Sequence, residues 1–151
     1  MTLDVRLQKL AVATGRSVFI FEVERGTLLS RHINIHTSRI RDVMFIADDY
    51  LIKDRDDDDD VGNGSKSGIS TSNRRVLISC CGDGLVKLWR TRQAGALQLF
   101  HVIGAFTSPV VSFCTLKGEK ALLLGTDDGF IHLIDLETLE HLHRSAHLIF
   151  D

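Results

Sequence analysis

A short hairpin recurs along this chain, and its repetition constrains the fold more than any single residue does. The clearest copy is residues 76–90, VLISCCGDGLVKLWR, in which two short apolar segments flank an Asp-Gly turn and the second contains the chain's single Trp. The same frame returns at residues 121–135, ALLLGTDDGFIHLID, and more weakly at residues 10–22, LAVATGRSVFIFE. A hairpin that repeats in this way predicts an architecture built from similar groups of strands.

Apolar and polar residues alternate with period two along most of the chain, and no segment keeps a helical period. The sequence therefore predicts an all-β fold. Val86 and Ile131 occupy matching positions 45 residues apart, a spacing typical of one β-propeller blade, which has about 40 to 45 residues. Val18 and Val86 are 68 residues apart, so an insertion must lie between the first two hairpins.

The insertion is visible at residues 53–75, where six aspartates precede a tract rich in Gly, Ser and Asn. Such a segment cannot bury enough apolar surface to offset its ordering entropy, so we predict a flexible loop between two strands of one blade. Contiguous aspartates repel one another and stay hydrated, whereas calcium loops space their ligands around a Gly. A solvated loop is therefore favoured, and the functional alternative is an acidic segment that meets a basic partner.

Assigning the predicted strands to blades divides the chain into four parts. Residues 1–35 form an incomplete first blade that lacks its innermost strand, because only residues 1–6 precede its hairpin. Residues 36–104 form a central four-stranded blade containing the insertion, residues 105–146 a third blade, and residues 147–151 the start of a further blade. These two and a half to three blades cannot close a ring of about four to eight, so we expect a partial propeller that is a fragment or is completed by other subunits.

The bulk composition excludes several classes of protein. The 151 residues are 44% hydrophobic and carry a net charge of -2, which gives no global electrostatic reason to expect nucleic acid or an anionic membrane as the main partner. No apolar run approaches the ~20 residues that span a bilayer, and no signal-peptide core is present, so we expect an intracellular protein of the nucleus, nucleolus or cytoplasm. The three cysteines fit reduced thiols better than a disulfide framework.

The predicted central blade contains four residues with polar groups at characteristic positions: His36, Ser79, Asp83 and Trp89. With this pattern the chain resembles the WD-repeat (WD40) family of β-propellers. The resemblance implies a structural tetrad in which the Trp89 indole donates to Ser79, Ser79 bonds His36, and His36 bonds Asp83. The other two blades lack most of this set, since the third keeps only Asp128, and we expect them to rely on apolar packing.

Residues 36–45, HTSRIRDVMF, are predicted to contain the basic innermost strand of the central blade. This segment resembles the corresponding strand of ribosome-biogenesis WD-repeat proteins related to a p21-activated-kinase-interacting protein. The resemblance implies a non-enzymatic protein-interaction scaffold in large-subunit ribosome biogenesis, bound to other proteins within a multi-subunit, RNA-containing assembly. A signalling or vesicle-trafficking scaffold subunit is the alternative with the same architecture. The candidate interaction residues, which could touch phosphate, are Arg39, Arg41, Lys87, Arg90 and Arg92.

A hydrolase is the competing class, because His36, Ser79 and Asp83 are the residue types of a catalytic triad. That chemistry requires an exposed Ser beside a base and an oxyanion site, whereas Ser79 lies in an alternating apolar strand with no Gly-x-Ser-x-Gly turn. His141 and His143 share one face of a strand, but no Cys or carboxylate completes a tetrahedral metal set with them. We therefore predict no catalytic residue, cofactor, metal or small-molecule substrate.

Overall fold

The computed structural model describes residues 1–5, 8–47, 75–104, 106–116 and 120–145. These residues form three four-stranded antiparallel sheets, and within each sheet the strands follow one another in chain order. The predicted all-β class is confirmed, and each of the three recurring hairpins forms the two middle strands of one sheet. No helix in the described part of the chain is long and apolar enough to cross a membrane.

The first sheet contains β1 (Thr2–Asp4), β2 (Lys9–Thr14), β3 (Ser17–Glu22) and β4 (Thr27–His32). The prediction that this sheet lacks its innermost strand is wrong, because β1 pairs antiparallel with β2 from Thr2 opposite Ala11 to Asp4 opposite Lys9. Three residues are too few to show a period-two pattern, so sequence alternation alone could not detect β1.

The central sheet contains β5 (Ile40–Ala47), β6 (Arg75–Cys81), β7 (Val86–Thr91) and β8 (Leu97–Ile103). Most of the predicted insertion lies outside the described residues. The insertion was predicted to end at residue 75, but Arg75 is already the first residue of β6 and pairs with Ala47 of β5. The predicted insertion is therefore one residue too long.

The third sheet contains β9 (Val110–Thr115), β10 (Ala121–Thr126), β11 (Ile131–Asp135) and β12 (His141–Ser145). All four strands lie within residues 105–146, and β10 and β11 are the two strands of the hairpin predicted at residues 121–135. The predicted start of a further blade at residues 147–151 lies outside the described residues.

The core consists of two apolar layers, one on each face of the central sheet. Because side chains alternate along a strand, Leu77 packs toward the first sheet and Ile78 toward the third. This position between two sheets explains why β6 is apolar on both faces. The first layer includes Ala11, Val18, Ile20, Ile40 and Trp89, and the second includes Val86, Leu88, Val110, Leu122 and Ile134.

A buried ion pair also joins the first two sheets. The Arg75 Nε atom lies 2.7 Å from the Asp4 carboxylate, and little of either side chain is exposed. The pair connects the short innermost strand β1 to the second strand of the central sheet. It therefore helps to hold β1 in place despite its three-residue length.

Candidate functional site

The candidate site is a chain of polar side chains on the face of the central sheet that is turned toward the first sheet. His36 lies in the segment that leads from β4 to β5 and is only 2% exposed. Ser79 lies on β6 and is fully buried, Trp89 lies on β7, and Asp83 lies in the turn between these two strands. The site therefore connects two neighbouring strands, β6 and β7, and the turn between them to the segment that precedes β5.

Three of the four predicted tetrad residues are joined by direct hydrogen bonds. The Trp89 indole Nε1–H donates to Ser79 Oγ over 2.8 Å, and Ser79 Oγ lies 2.7 Å from His36 Nε2. The His36 and Trp89 rings also meet edge to face, with their centroids 6.5 Å apart. A buried indole, hydroxyl and imidazole thereby satisfy one another, as buried polar groups must.

The fourth residue, Asp83, is reached through a side chain that the sequence analysis did not include. Cys81 Sγ lies 2.8 Å from His36 Nδ1, and the Cys81 thiol donates to the Asp83 carboxylate. The predicted direct link from His36 to Asp83 is therefore corrected to a link through Cys81. The signal was available, because residues 79 and 81 of one strand must share a face.

The Asp83 carboxylate is the common acceptor at the end of this chain of hydrogen bonds. It also accepts from the Thr37 hydroxyl and, over 3.1 Å, from the backbone N–H of Leu85. We call the connected residues Trp89, Ser79, His36, Cys81 and Asp83 the relay.

The donors of the relay all point from Trp89 toward Asp83. Because the Cys81 thiol donates to Asp83, the proton of the neutral His36 ring is assigned to Nδ1, which faces the sulfur. Nε2 then accepts the Ser79 O–H over 2.7 Å, a closer contact than the 3.5 Å from Ser79 Oγ to the Lys87 carbonyl. One neutral tautomer of His36 thus satisfies every bond.

The electrostatics fit this assignment of protons. Burial lowers the pKa of His36 to about 4, an effect that Lys87 strengthens and Asp83 opposes. Burial likewise raises the pKa of Cys81 to about 11. Burial would raise the pKa of Asp83, but the hydrogen bonds from Cys81, Thr37 and the Leu85 N–H bring it below its ordinary value. At neutral pH the relay therefore holds a neutral imidazole, a protonated thiol and a carboxylate. Because the Cys81 thiol keeps its proton, it is not an activated nucleophile.

His36, Cys81 and Asp83 also offer three atoms of the kinds that bind metals, all within 4.8 Å of one another. The 2.8 Å between His36 Nδ1 and Cys81 Sγ is a hydrogen-bond distance. A His nitrogen and a Cys sulfur bound to one tetrahedral Zn²⁺ would be about 3.5 Å apart, given Zn–N and Zn–S bonds of about 2.0 and 2.3 Å. These two atoms are therefore placed as hydrogen-bond partners and not as ligands of one ion.

The candidate interaction residues do not form one patch. Lys87 Nζ donates to the Ile35 carbonyl over 2.7 Å, and the Arg90 guanidinium lies 4.7 Å from the centre of the Phe100 ring. Arg39 and Arg92 are exposed. Arg39 precedes β5 and Arg92 follows β7, and because β5 and β7 are both antiparallel to β6, the two arginines lie at opposite ends of the central sheet. Arg41 is also exposed.

The third sheet contains a polar cluster where only apolar packing was expected. His132 is 7% exposed, and its Nδ1 lies 2.9 Å from His141 Nε2. The other ring nitrogen of His132, Nε2, lies 3.5 Å from Thr126 Oγ1. A hydrogen bond from the Thr126 side chain lowers the pKa of Asp128. Matching the two hairpins at Gly84 and Gly129 places Thr126 where the central sheet has Cys81, a match that marks Thr126 in the sequence but not the two histidines.

No protein-family profile matches this chain, and no curated protein matches it. Solved structures of computationally designed proteins do match. Ika8 is similar with a TM-score of 0.60 and 16% identity, over 95% of this chain and 35% of its own. Ika4 is similar with a TM-score of 0.62 and 16% identity, over 97% of this chain and 70% of its own. The chain thus spans about a third of the first protein, and the similarity at this identity shows a shared fold alone.

Proposed function

We propose that this chain is part of a WD-repeat β-propeller and acts as a non-enzymatic scaffold for other macromolecules. The observation that supports this proposal best is the relay, which connects the segment before β5 to the turn between β6 and β7. A buried, fully bonded polar chain of this kind rigidifies a sheet and the loops at its end. Rigid loops at the end of a sheet are suited to binding partners.

The same geometry argues against a hydrolase. Ser79 is fully buried, and its oxygen already accepts the Trp89 indole, so a substrate carbonyl has no route to it. His36 is neutral and positioned by two buried neighbours rather than facing a cleft. Residue types that could form a triad are here used to hold the sheet together.

Large-subunit ribosome biogenesis is the cellular context that we propose, with partner proteins in an RNA-containing assembly of the nucleus, nucleolus or cytoplasm. The support is the similarity of residues 36–45 to WD-repeat proteins of that process, together with two exposed arginines, Arg39 and Arg41, at the start of this strand. Exposed guanidinium groups can contact phosphate without reading base sequence.

Sedimentation of the tagged protein from its own cells tests this context. We expect the protein to sediment with precursors of the large ribosomal subunit, and to leave those fractions after ribonuclease treatment. Sedimentation with membrane vesicles or signalling complexes instead would favour the alternative scaffold role. A protein found in no large complex would count against a scaffold of any kind.

A matched pair of variants makes the test specific. Neutralising Arg39 and Arg41 together, by Arg39→Gln and Arg41→Gln, should weaken the association and lower its sensitivity to salt. Arg92→Gln removes a charge at the opposite end of the same sheet and should have little effect. A hydrolytic activity that disappears in Ser79→Ala, with the fold retained, would overturn the non-enzymatic proposal.

A further inference from the structure

A groove with a volume of 440 Å³ lies between the central and third sheets, apart from the relay. Its apolar part consists of Ile103, Phe106, Ile134 and Leu139. One of these, Leu139, has a φ of 60°, a left-handed conformation that is unfavourable for a residue with a branched side chain. Backbone strain of this kind concentrates at sites of function.

The polar part of the groove is formed by Thr107, His132, His141 and Arg144. The two imidazoles are hydrogen-bonded to each other, and the His132 ring is held edge to face against Phe106, with centroids 4.8 Å apart. Their orientation is therefore fixed before any ligand arrives.

Arg144 gives the groove its charge. It is the one permanently charged residue among the described residues that line the groove. Its guanidinium lies 3.7 Å from the centre of the Phe130 ring, while its ion pair with Asp128 is long, at 3.8 Å, and half-exposed. A long, solvated pair of this kind contributes little, so a new anion can compete for the guanidinium. The groove thus combines an apolar base with a cationic rim.

The strand beside the groove favours an extended ligand. β12 is the outermost strand of the third sheet, and within the described residues it pairs on one side only, with β11. A peptide that pairs with such an edge points alternate side chains to each face of the sheet. One of these two sets would then enter the groove, because His141 and Arg144 of β12 line it.

We propose that the groove binds an extended segment of a partner protein that carries a bulky apolar side chain two residues away from a carboxylate, so that both side chains point to the same face. The backbone of the segment pairs with β12, the apolar side chain lies over Phe106 and Leu139, which are both partly exposed, and the carboxylate meets Arg144. The volume lies within the range of about 300 to 1,000 Å³ that is usual for ligand sites. The inference rests on the proposed scaffold function and names one class of partner for it.

Selection from a random library of displayed twelve-residue peptides tests the proposal, with the full chain as bait at a concentration where sedimentation shows a monomer and amide exchange shows a folded third sheet. We expect enrichment of sequences in which Leu, Ile or Phe stands two residues away from Asp or Glu. An enriched peptide, synthesised with a fluorescent label, should bind Arg144→Gln at least tenfold more weakly than the original protein. Arg31→Gln, which neutralises an exposed arginine on the first sheet, is the matched control and should bind unchanged.

A second variant blocks the groove without touching its charge. A Cβ atom added at Gly104 has no heavy atom within 4 Å, so the side chain of Gly104→Phe begins in open space at the lining of the groove. This variant should abolish binding of the peptide. A far-ultraviolet circular dichroism spectrum equal to that of the original protein would show that all three sheets still form.

The outcomes separate this proposal from the scaffold function. Enrichment of basic or purely polar peptides, no enrichment at all, or binding that survives both Arg144→Gln and Gly104→Phe would overturn the groove as the docking site. If the protein still sediments in a large complex in that case, the scaffold function stands and its partners bind elsewhere. Loss of all complexes would instead remove the scaffold function itself.

Discussion

Cys81 determines what the His36 imidazole can do. A direct bond from His36 to Asp83 would stabilise a protonated ring, because a carboxylate at hydrogen-bond distance favours a cation. With the thiol between them, the carboxylate acts from farther away, and desolvation outweighs it, so that the ring stays neutral. The relay is therefore a structural connection whose charge resides at its outer end, on Asp83.

The contribution of the relay to stability can be measured with two substitutions. His36→Ala should lower the free energy of unfolding by about 1 to 3 kcal/mol, because it leaves the Ser79 hydroxyl and the Cys81 thiol short of buried partners. Cys81→Ser should cost less, since a hydroxyl can donate and accept in the same place. Urea unfolding followed by Trp89 fluorescence gives both values. A His36→Ala protein as stable as the original would contradict the relay.

The lowered pKa of His36 also predicts how stability depends on pH. The unfolded chain binds a proton near pH 6.5, while the folded chain binds it only near pH 4, so between these values the unfolded state holds more protons. Stability is therefore complete above about pH 6.5 and falls as the pH decreases toward 4, by roughly 3 kcal/mol for a shift of this size.

Urea unfolding of the original protein and of His36→Gln at a series of pH values from 7.5 to 4.5 would test this prediction. The variant has no titrating group at this position, so its stability should depend on pH much less steeply. Some slope should remain, because burial also lowers the pKa of His132. Equal slopes for the two proteins would rule out His36 as the source.

The residues of the site were only partly predictable from sequence. His36, Ser79 and Trp89 could be found because each occupies a fixed position relative to a recognisable hairpin. Cys81 was missed because a thiol is ordinarily counted as a small apolar side chain, and only its two neighbours turn it into a donor and an acceptor. His132 was missed because its partner, His141, is brought to it by a β-bulge between Leu133 and Ile134 that the sequence does not indicate.

At the scale of the strands, the turn between β6 and β7 connects the central sheet to the third. Gly84 has a φ of +75°, and a Cβ atom placed on it would lie 2.3 Å from the carbonyl oxygen of Phe106. The Phe106 N–H in turn donates to the Gly84 carbonyl over 3.1 Å. The absence of a side chain at residue 84 therefore allows the backbone of this turn to touch the segment that leads from β8 of the central sheet to β9 of the third.

Two glycine substitutions separate the close approach from the backbone conformation. Gly15 has a φ of +58°, but a Cβ atom there would have no heavy atom within 4 Å. Gly15→Ala should cost about 1 to 2 kcal/mol, the usual penalty of the left-handed region. Gly84→Ala should cost about 1 to 3 kcal/mol more, because the backbone of one sheet must also move. Thermal unfolding of both variants would show the difference, and equal costs would mean that the contact with Phe106 contributes nothing.

The strands themselves were largely predictable, for a physical reason. Alternation reports burial on a sheet face, and together with the recurring turn it predicted the three hairpins that form β2 and β3, β6 and β7, and β10 and β11. It failed where burial does not depend on alternation: β1 is held by pairing with β2 and by the ion pair of Asp4 with Arg75, and a three-residue strand has no period to detect. The continuous apolar run of β6 was equally ambiguous until the sheets on both of its sides were known.

At the scale of the whole molecule, each of the two outer sheets has one face that no other sheet covers among the described residues. Large apolar side chains are exposed on the first sheet, where Leu3 is 52% and Leu28 is 45% accessible, and on the third, where Ile131 is 39% accessible. The central sheet, by contrast, is covered on both faces by the layers described above. Stacked repeats gain stability by burying such faces against neighbours, so the two outer sheets need a further partner.

We therefore expect residues 1–151, expressed alone, to associate with one another or to remain partly unfolded in the outer sheets. Sedimentation velocity should show species larger than a monomer at micromolar concentrations, and amide exchange should be slow in the central sheet and faster in the outer two. Placing a charge of the same sign on each outer sheet, by Leu28→Lys and Ile131→Lys, should reduce the association, whereas Leu99→Lys at an exposed position of β8 in the central sheet should not. A monodisperse monomer with slowly exchanging amides in all three sheets would contradict this expectation. In that case the packing between the sheets would stabilise the fold by more than the exposed apolar faces destabilise it.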